Sequence, residues 1–145
     1  RRFEVPARLL EDEIFNRLRM DPASLPTGEV EVLPSTVFVR LKHRDFEPVR
    51  VEAEMATYEG EVFPSDTFSV YRLRYVGEDR TLEIVFDPEP PYRIEGWIDS
   101  YPSVFDREVR RTVARRTETI KNAYWEKNAP EDRALREKLG MESME

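Results

Sequence analysis

The chain has 145 residues, with 30 acidic and 23 basic side chains and a net charge of −7, and it is long enough to bury one substantial core. It has no cysteine and a single histidine, His43, which excludes disulfides, thiolate zinc sites, cysteine nucleophiles and any site built from two imidazoles. No apolar run reaches the roughly 18 residues of a membrane-spanning helix, so we predict no integral membrane segment.

Negative charge is concentrated in the middle of the chain. Residues 51–100 carry 12 acids and 4 bases, a net charge of −8, whereas residues 1–50 are neutral and residues 101–145 carry +1. An acidic surface repels phosphate backbones, which disfavours nucleic acid as a partner. Arginine outnumbers lysine by 19 to 4, which favours ion-pair networks with the many carboxylates.

The first predicted element is a helix over residues 7–20. Leu10, Ile14 and Leu18 recur at the spacing of one helical face, and Pro22 follows where the pattern ends.

The middle of the chain alternates apolar and polar residues, as strands do. The predicted strands cover residues 37–42, 49–55, 68–76, 81–86 and 92–99, with a short strand or extended lead-in at 30–32. Gly77 separates the third run from the fourth, which predicts a hairpin in which Arg72 or Arg74 faces Glu83.

Two helices are predicted near the end of the chain. The longer covers residues 105–125, because apolar residues form a stripe at steps of three and four: Val109, Val113, Thr117, Ile120 and Tyr124. The shorter covers residues 130–139, where Pro130 starts the helix and Gly140 ends it.

The order of these elements predicts an α+β fold in a single domain over residues 1–145. We expect a meandering antiparallel sheet of five to six strands, with the N-terminal helix and the two C-terminal helices packed on one face. The alternative is a closed β-barrel with flanking helices, which would form if the apolar face of every strand turned inward.

No catalytic signature occurs in the chain: there is no Gly-x-Ser-x-Gly, P-loop, dinucleotide-binding glycine pattern, HExxH or EF-hand loop. The string His43-Arg44-Asp45 matches part of the kinase catalytic loop, but neither a kinase Gly-rich loop nor a DFG motif accompanies it. We therefore interpret His43 as an exposed residue and expect no cofactor.

The most promising binding residues lie around residues 92–101. Tyr92, Trp97 and Tyr101 are interleaved with the carboxylates of Glu95 and Asp99. An aromatic platform beside carboxylates suits a sugar or a peptide, because a ring stacks while acids orient hydroxyls or amines. The alternative is structural, with Trp97 covered by the last helix and Tyr92 in the core.

Two charged stretches have a functional and a structural interpretation. The densest acidic stretch, from Glu52 to Asp66, is either a calcium site or a solvated face paired with arginines, and the expected loop spacing for calcium is absent. The bases Arg110, Arg111 and Arg115 form either a strip for an acidic partner or nucleic acid, or the intramolecular partners of the acidic sheet.

Two segments resemble parts of exported bacterial proteins of uncharacterised function: LLEDEIFNRLRMDPASLPTGEVEVLPS at residues 9–35 and AYWEKNAPEDRALREKLG at residues 123–140. The resemblance implies export and supplies no catalytic or binding residue. The chain also begins Arg-Arg-Phe-Glu without a methionine, which fits a processed product. We therefore expect a periplasmic or secreted location, with the cytoplasm as the alternative, since a chain without cysteine fits either compartment.

Together these observations predict a non-enzymatic extracytoplasmic domain that binds an unknown protein or a polar ligand, with no metal site and no nucleic-acid partner. The alternative is a small hydrolase or isomerase that uses paired carboxylates on a polar substrate, for instance Glu95 with Asp99 or with Glu83. Carboxylate dyads leave no sequence signature, so the absence of motifs does not decide between the two.

Overall fold

The computed structural model describes residues 4–141, and its main element is one open sheet of seven strands that follow each other in chain order. β1 pairs parallel with β2, and every pairing from β2 to β6 is antiparallel. The strands are β1 (Leu9–Leu10), β2 (Gly28–Leu33), β3 (Val49–Thr57), β4 (Ser69–Tyr75), β5 (Arg80–Phe86), β6 (Ile94–Pro102) and β7 (Val109–Arg115). The α+β class and the antiparallel meander are confirmed, with more strands than predicted, and the closed barrel is wrong.

The chain forms two compact units, one ending at Ala114 and the other beginning at Arg115. A compact unit is not in itself an independently folding domain, so a single domain over residues 1–145 stays a prediction. The first unit holds almost the whole sheet and is described first.

Helix α1 (Glu11–Met20) covers one face of the sheet, which we call the helix face. Ile14 and Leu18 are fully buried in its core, where they join the inward residues of the strands, such as Val51, Leu73 and Ile84. The helix begins four residues later than predicted, because Leu9 and Leu10 pair with β2 instead of forming a helical turn. The predicted packing of the N-terminal helix on one face is confirmed.

The opposite face of the sheet has a smaller core and a charged half. Tyr58 and Phe63, from the segment between β3 and β4, pack there on Val70, Val85 and Ile98. The neighbouring positions carry the charged residues of the same strands. This face is therefore partly covered by a loop segment and partly open.

A strand predicted at residues 37–42 is wrong, because the structure has helix α2 (Thr36–Leu41) there. The Ser35 hydroxyl caps the helix by accepting a hydrogen bond from Phe38 N at 3.0 Å. Thr36 N and its hydroxyl donate to the Asp12 carboxylate at 3.2 and 3.0 Å. These caps satisfy backbone donors that a strand would have paired with a neighbour, so local capping overrides the alternating pattern.

The long helix predicted over residues 105–125 is also wrong. Residues 109–115 form β7, which lies beside β6 and is hydrogen-bonded to it. Val109, Thr112 and Val113 are β-branched, which favours an extended backbone once a neighbouring strand is present. The apolar stripe at steps of three and four residues therefore fails to specify a helix, and the longer of the two predicted C-terminal helices does not form.

The second unit contains short elements. A 3₁₀ turn spans Tyr124–Glu126, another spans Pro130–Arg133, and helix α3 spans Ala134–Lys138. The short helix predicted over 130–139 is thus present as a 3₁₀ turn followed by an α-helix. Gly140 follows with a positive φ of 67°, the conformation in which glycine ends helices, as predicted.

Candidate binding site on the open face of the sheet

The residues predicted from the sequence to bind a ligand lie mainly on the helix face, where they have structural partners. Trp97 and Asp99 lie opposite Ile84 and Leu82 of β5. The Trp97 ring packs edge-on against Phe15 of α1 at 5.4 Å and remains 38% exposed. The first helix thus covers part of the Trp97 ring.

Asp99 is engaged by a buried arginine. Arg80 donates to both Asp99 oxygens at 3.0 Å and to both Glu11 oxygens at 2.8 and 2.7 Å. Its guanidinium lies over the rings of Phe38 and Tyr75, at 4.1 and 4.5 Å from the ring centres. Burial alone would lower the pKa of Arg80, but its hydrogen bonds with Glu11 and then Asp99 raise it well above its ordinary value. Asp99 therefore serves as an internal counterion.

The remaining predicted residues do not join one cavity. The Tyr101 hydroxyl lies 3.3 Å from Thr112 Oγ1, and its ring lies 5.2 Å from Lys42 Nζ. Tyr101 lines a depression of about 430 Å³ that the other four predicted residues do not line. Tyr92 packs against the main core, and Glu95 lies beside a register shift between β5 and β6.

Asp99 and Glu83 are the two residues that the enzymatic alternative pairs with Glu95, and each is bonded by a different arginine. Glu83 lies opposite Ile98 in the ladder, whereas Asp99 lies opposite Leu82, so the two carboxylates project from opposite faces of the sheet. Glu83 accepts two hydrogen bonds from Arg72 through one oxygen, whereas Asp99 accepts from Arg80 through both of its oxygens.

A different cavity lies on the open half of the opposite face, with a volume of about 580 Å³. We call it the polar hollow. Strands β3, β4, β5 and β7 and the three residues after β3 line it: Glu54, Ala56, Thr57, Tyr58, Glu59, Gly60, Arg72, Glu83 and Arg111. The sheet registers place Glu54 opposite Arg72 and Arg72 opposite Glu83, so charges alternate across three adjacent strands.

Arg72 is the centre of this charged row. Its Nη1 donates to Glu54 Oε2 at 2.6 Å, while Nε and Nη2 donate to Glu83 Oε1 at 3.1 and 3.0 Å. Burial works to lower the pKa of Arg72, but the hydrogen bonds that it donates to Glu83 and then to Glu54 raise it overall. The predicted pairing of Arg72 with Glu83 is confirmed, and Arg74 instead bonds Glu52 at 2.7 Å.

Tyr58, one of the residues that line the hollow, has an unsatisfied buried hydroxyl. The residue is 5% exposed, and its hydroxyl is the one buried side-chain oxygen or nitrogen in residues 4–141 without a hydrogen-bond partner. Its ring packs edge-on against Phe63 at 5.8 Å, and any Cβ at Gly60 would overlap the hydroxyl. A buried phenol normally has a partner, so this hydroxyl is a feature that needs explanation.

Two charged groups at the hollow are also without partners. Within the described part of the chain, neither the Glu59 carboxylate nor the Arg111 guanidinium has a hydrogen bond or ion pair, and both residues are exposed. The hollow thus presents an available anion and an available cation beside a row of paired charges. Such a surface matches a ligand that carries both signs of charge.

The sequence singled out part of this site for other reasons. Glu54 and Glu59 belong to the acidic stretch, whose interpretation as an arginine-paired face agrees with the bonds of Glu52 and Glu54. Among residues 4–141 no group of three or more histidine, cysteine or acidic residues is arranged to hold a metal ion. Nothing in the sequence pointed to Tyr58, because its missing partner depends on the surrounding fold.

No family model, curated protein or solved structure matches this chain. The resemblance to exported bacterial proteins therefore stays a prediction, as does the extracytoplasmic location. None of the helices within residues 4–141 has both the length and the apolar character needed to cross a membrane.

Proposed function

We propose that the chain is a non-enzymatic binding domain that takes a small zwitterionic ligand, such as a short peptide, in the polar hollow. The observation that carries this proposal is the buried, unpaired hydroxyl of Tyr58, a residue that lines the hollow. Leaving a buried hydroxyl without a hydrogen bond costs roughly 1–3 kcal/mol, and a ligand that supplies a partner recovers that cost on binding.

The free charges define the ligand. The Arg111 guanidinium presents a planar fork that suits a carboxylate, and the Glu59 carboxylate suits an ammonium group. Arg72 remains bonded to Glu54 and Glu83, so the row of paired charges supplies a fixed polar wall. The same bonds favour binding over catalysis, because the carboxylates of Glu54 and Glu83 are both already bonded to the Arg72 guanidinium.

Glycylglycine is a suitable probe because it carries an ammonium and a carboxylate on a short backbone. We expect its addition, up to about 10 mM, to shift the amide NMR signals of residues 54–60, 72, 83 and 111, as weak binding would. N-acetylglycylglycine lacks the ammonium and glycylglycinamide lacks the carboxylate, and each is expected to bind about tenfold more weakly.

Variants separate the hollow from general charge effects. Tyr58→Phe is expected to weaken glycylglycine binding, and Arg111→Gln to remove the preference for the free carboxylate. Arg110→Gln is the matched control, because residue 110 projects from the other face of β7. Absence of any shift, shifts confined to other residues, or equal binding of the two blocked peptides would each contradict the proposal.

A further inference from the structure

The last strand of the sheet has an unpaired edge. β7 has β6 as its neighbour on one side, and the strand order of the described sheet ends there. Every residue of Val109–Arg115 is exposed except the partly buried Ala114, and Val109 and Val113 are 69% and 40% exposed. An exposed edge of this length is a template for a further strand, because its outward N–H and C=O groups lack ladder partners.

The charge of this edge is opposite to that of the protein. β7 contains Arg110, Arg111 and Arg115 and no carboxylate, although the whole chain carries −7. Asp106, in the loop before the strand, bonds Arg110 and neutralises one of these charges. The strand keeps the positive charge of the exposed Arg111, which has no hydrogen bond or ion pair within residues 4–141, so a segment added to the strand is favoured when it is acidic.

We infer that β7 binds an extended acidic segment of a partner protein by strand addition. A second copy of this chain fits less well, because pairing two β7 strands would bring three guanidinium groups from each copy into one ladder that has no carboxylate. Nucleic acid fits less well because a chain with net charge −7 repels phosphates beyond the strand itself.

The side-chain pattern of β7 specifies what the added strand carries. Arg111 and Val113 project from one face of the strand, and Arg110 and Thr112 project from the other. A segment that alternates β-branched and acidic residues places carboxylates across from arginines while it adds a ladder of main-chain hydrogen bonds. Main-chain bonds would supply affinity and the charges would supply selectivity.

The test uses the whole chain and a fluorescent peptide of sequence Val-Glu-Val-Glu-Val-Glu-Val. We expect salt-sensitive binding by fluorescence anisotropy, together with slower amide hydrogen exchange across residues 109–115. A Val-Lys peptide of the same length, and a Val-Glu peptide with alternate amides N-methylated, are each expected to bind at least about tenfold more weakly.

Variants locate the binding and separate it from the polar hollow. The double variant Arg110→Glu, Arg111→Glu is expected to lose binding, whereas Arg19→Glu, an exposed arginine of α1, is expected to retain it. Tyr58→Phe is also expected to retain it, so failure of the hollow and failure of the edge are distinguishable.

Four outcomes would overturn the inference. They are no binding of the Val-Glu peptide, equal binding of the N-methylated peptide, protection of β7 amides by self-association without peptide, and tighter binding of an oligothymidylate than of the peptide. The third would assign the edge to a second copy, and the fourth would assign it to nucleic acid.

Discussion

Arg80 and Glu11 form a two-bonded ion pair inside the protein, with Nη1 2.8 Å from Oε2 and Nη2 2.7 Å from Oε1. Arg80 is 2% exposed, and the Tyr75 hydroxyl donates to the same Glu11 carboxylate. Glu11 also accepts from Ser35 N at 3.1 Å, just before α2. One buried carboxylate therefore connects the start of α1 to two central strands and to the entry of α2.

Arg80→Ala is expected to lower the free energy of unfolding by about 3–5 kcal/mol, because it leaves the buried carboxylate of Glu11 and the partly buried carboxylate of Asp99 without their cation. Urea denaturation followed by circular dichroism measures the change. Arg74→Ala removes the exposed pair with Glu52 and is expected to cost less than about 1 kcal/mol. Similar losses of unfolding free energy in the two variants would show that the buried pair stabilises the protein no more than the exposed pair does.

Stability is expected to fall above about pH 10. Burial raises the pKa of Tyr71 from its ordinary 10.0 to about 12, and burial, followed by the charge of Glu11, raises that of Tyr75 further. At pH values between the ordinary tyrosine pKa and these raised pKa values, the unfolded chain loses tyrosine protons that the folded chain keeps. Unfolding therefore becomes more favourable as pH rises. Each group contributes a slope of about 1.4 kcal/mol per pH unit.

Urea titrations from pH 8 to 12, with tyrosinate absorbance in parallel, measure this alkaline slope. The double variant Tyr71→Phe, Tyr75→Phe is expected to flatten it. Tyr124→Phe, at an exposed position, is expected to leave it unchanged. A slope that persists in the double variant would assign alkaline unfolding to other groups.

Tyr58→Phe is expected to raise the free energy of unfolding by about 1 kcal/mol, because the lost hydroxyl has no hydrogen bond in the folded protein. Tyr71→Phe should have the opposite effect at neutral pH, since the Tyr71 hydroxyl donates to the Pro26 carbonyl at 2.7 Å. Thermal and urea denaturation of the two variants, side by side, test the assignment. A loss of stability in Tyr58→Phe would indicate that its hydroxyl has a partner in solution.

Gly96→Ala is expected to cost about 2 kcal/mol, because the new methyl group would overlap the Ala114 carbonyl oxygen and lie 2.5 Å from the Phe63 ring. Gly28→Ala tests a different cost, since no atom lies within 4 Å of that position but its φ is +85°. If shortening Phe63 to leucine fails to recover any stability in Gly96→Ala, the aromatic ring is not part of the clash.

The alternating pattern predicted the central sheet well. Strands β3, β4 and β5 carry mainly apolar residues on the helix face and most of their charged residues on the other, with the buried Arg80 as an exception, so a period of two was visible along the chain. The opposition of Arg72 and Glu83 followed from the same alternation and the short hairpin between them. These features depend on neighbours along the chain or across one turn.

The predictions for the segments that form α2 and β7 were wrong because the contacts that decide their conformation come from other parts of the chain. Ser35 and the Asp12 carboxylate cap α2, and Asp12 lies on another helix. β7 is extended because its backbone hydrogen-bonds with β6, although the spacing of the apolar residues in β7 also fits a helix. A bulge between β5 and β6 likewise places Ile94 in the helix-face core while Ile98 packs on the opposite face.

The sequence by itself determined the α+β class, the central antiparallel strands and the arginine pairing of the acidic face, because residue alternation and short turns specify them locally. Only the tertiary structure decided that Asp99 neutralises Arg80 and that Tyr58, Glu59 and Arg111 meet in one hollow. The physical reason is that a hydrogen-bond partner, or its absence, depends on groups that folding brings together from distant parts of the chain.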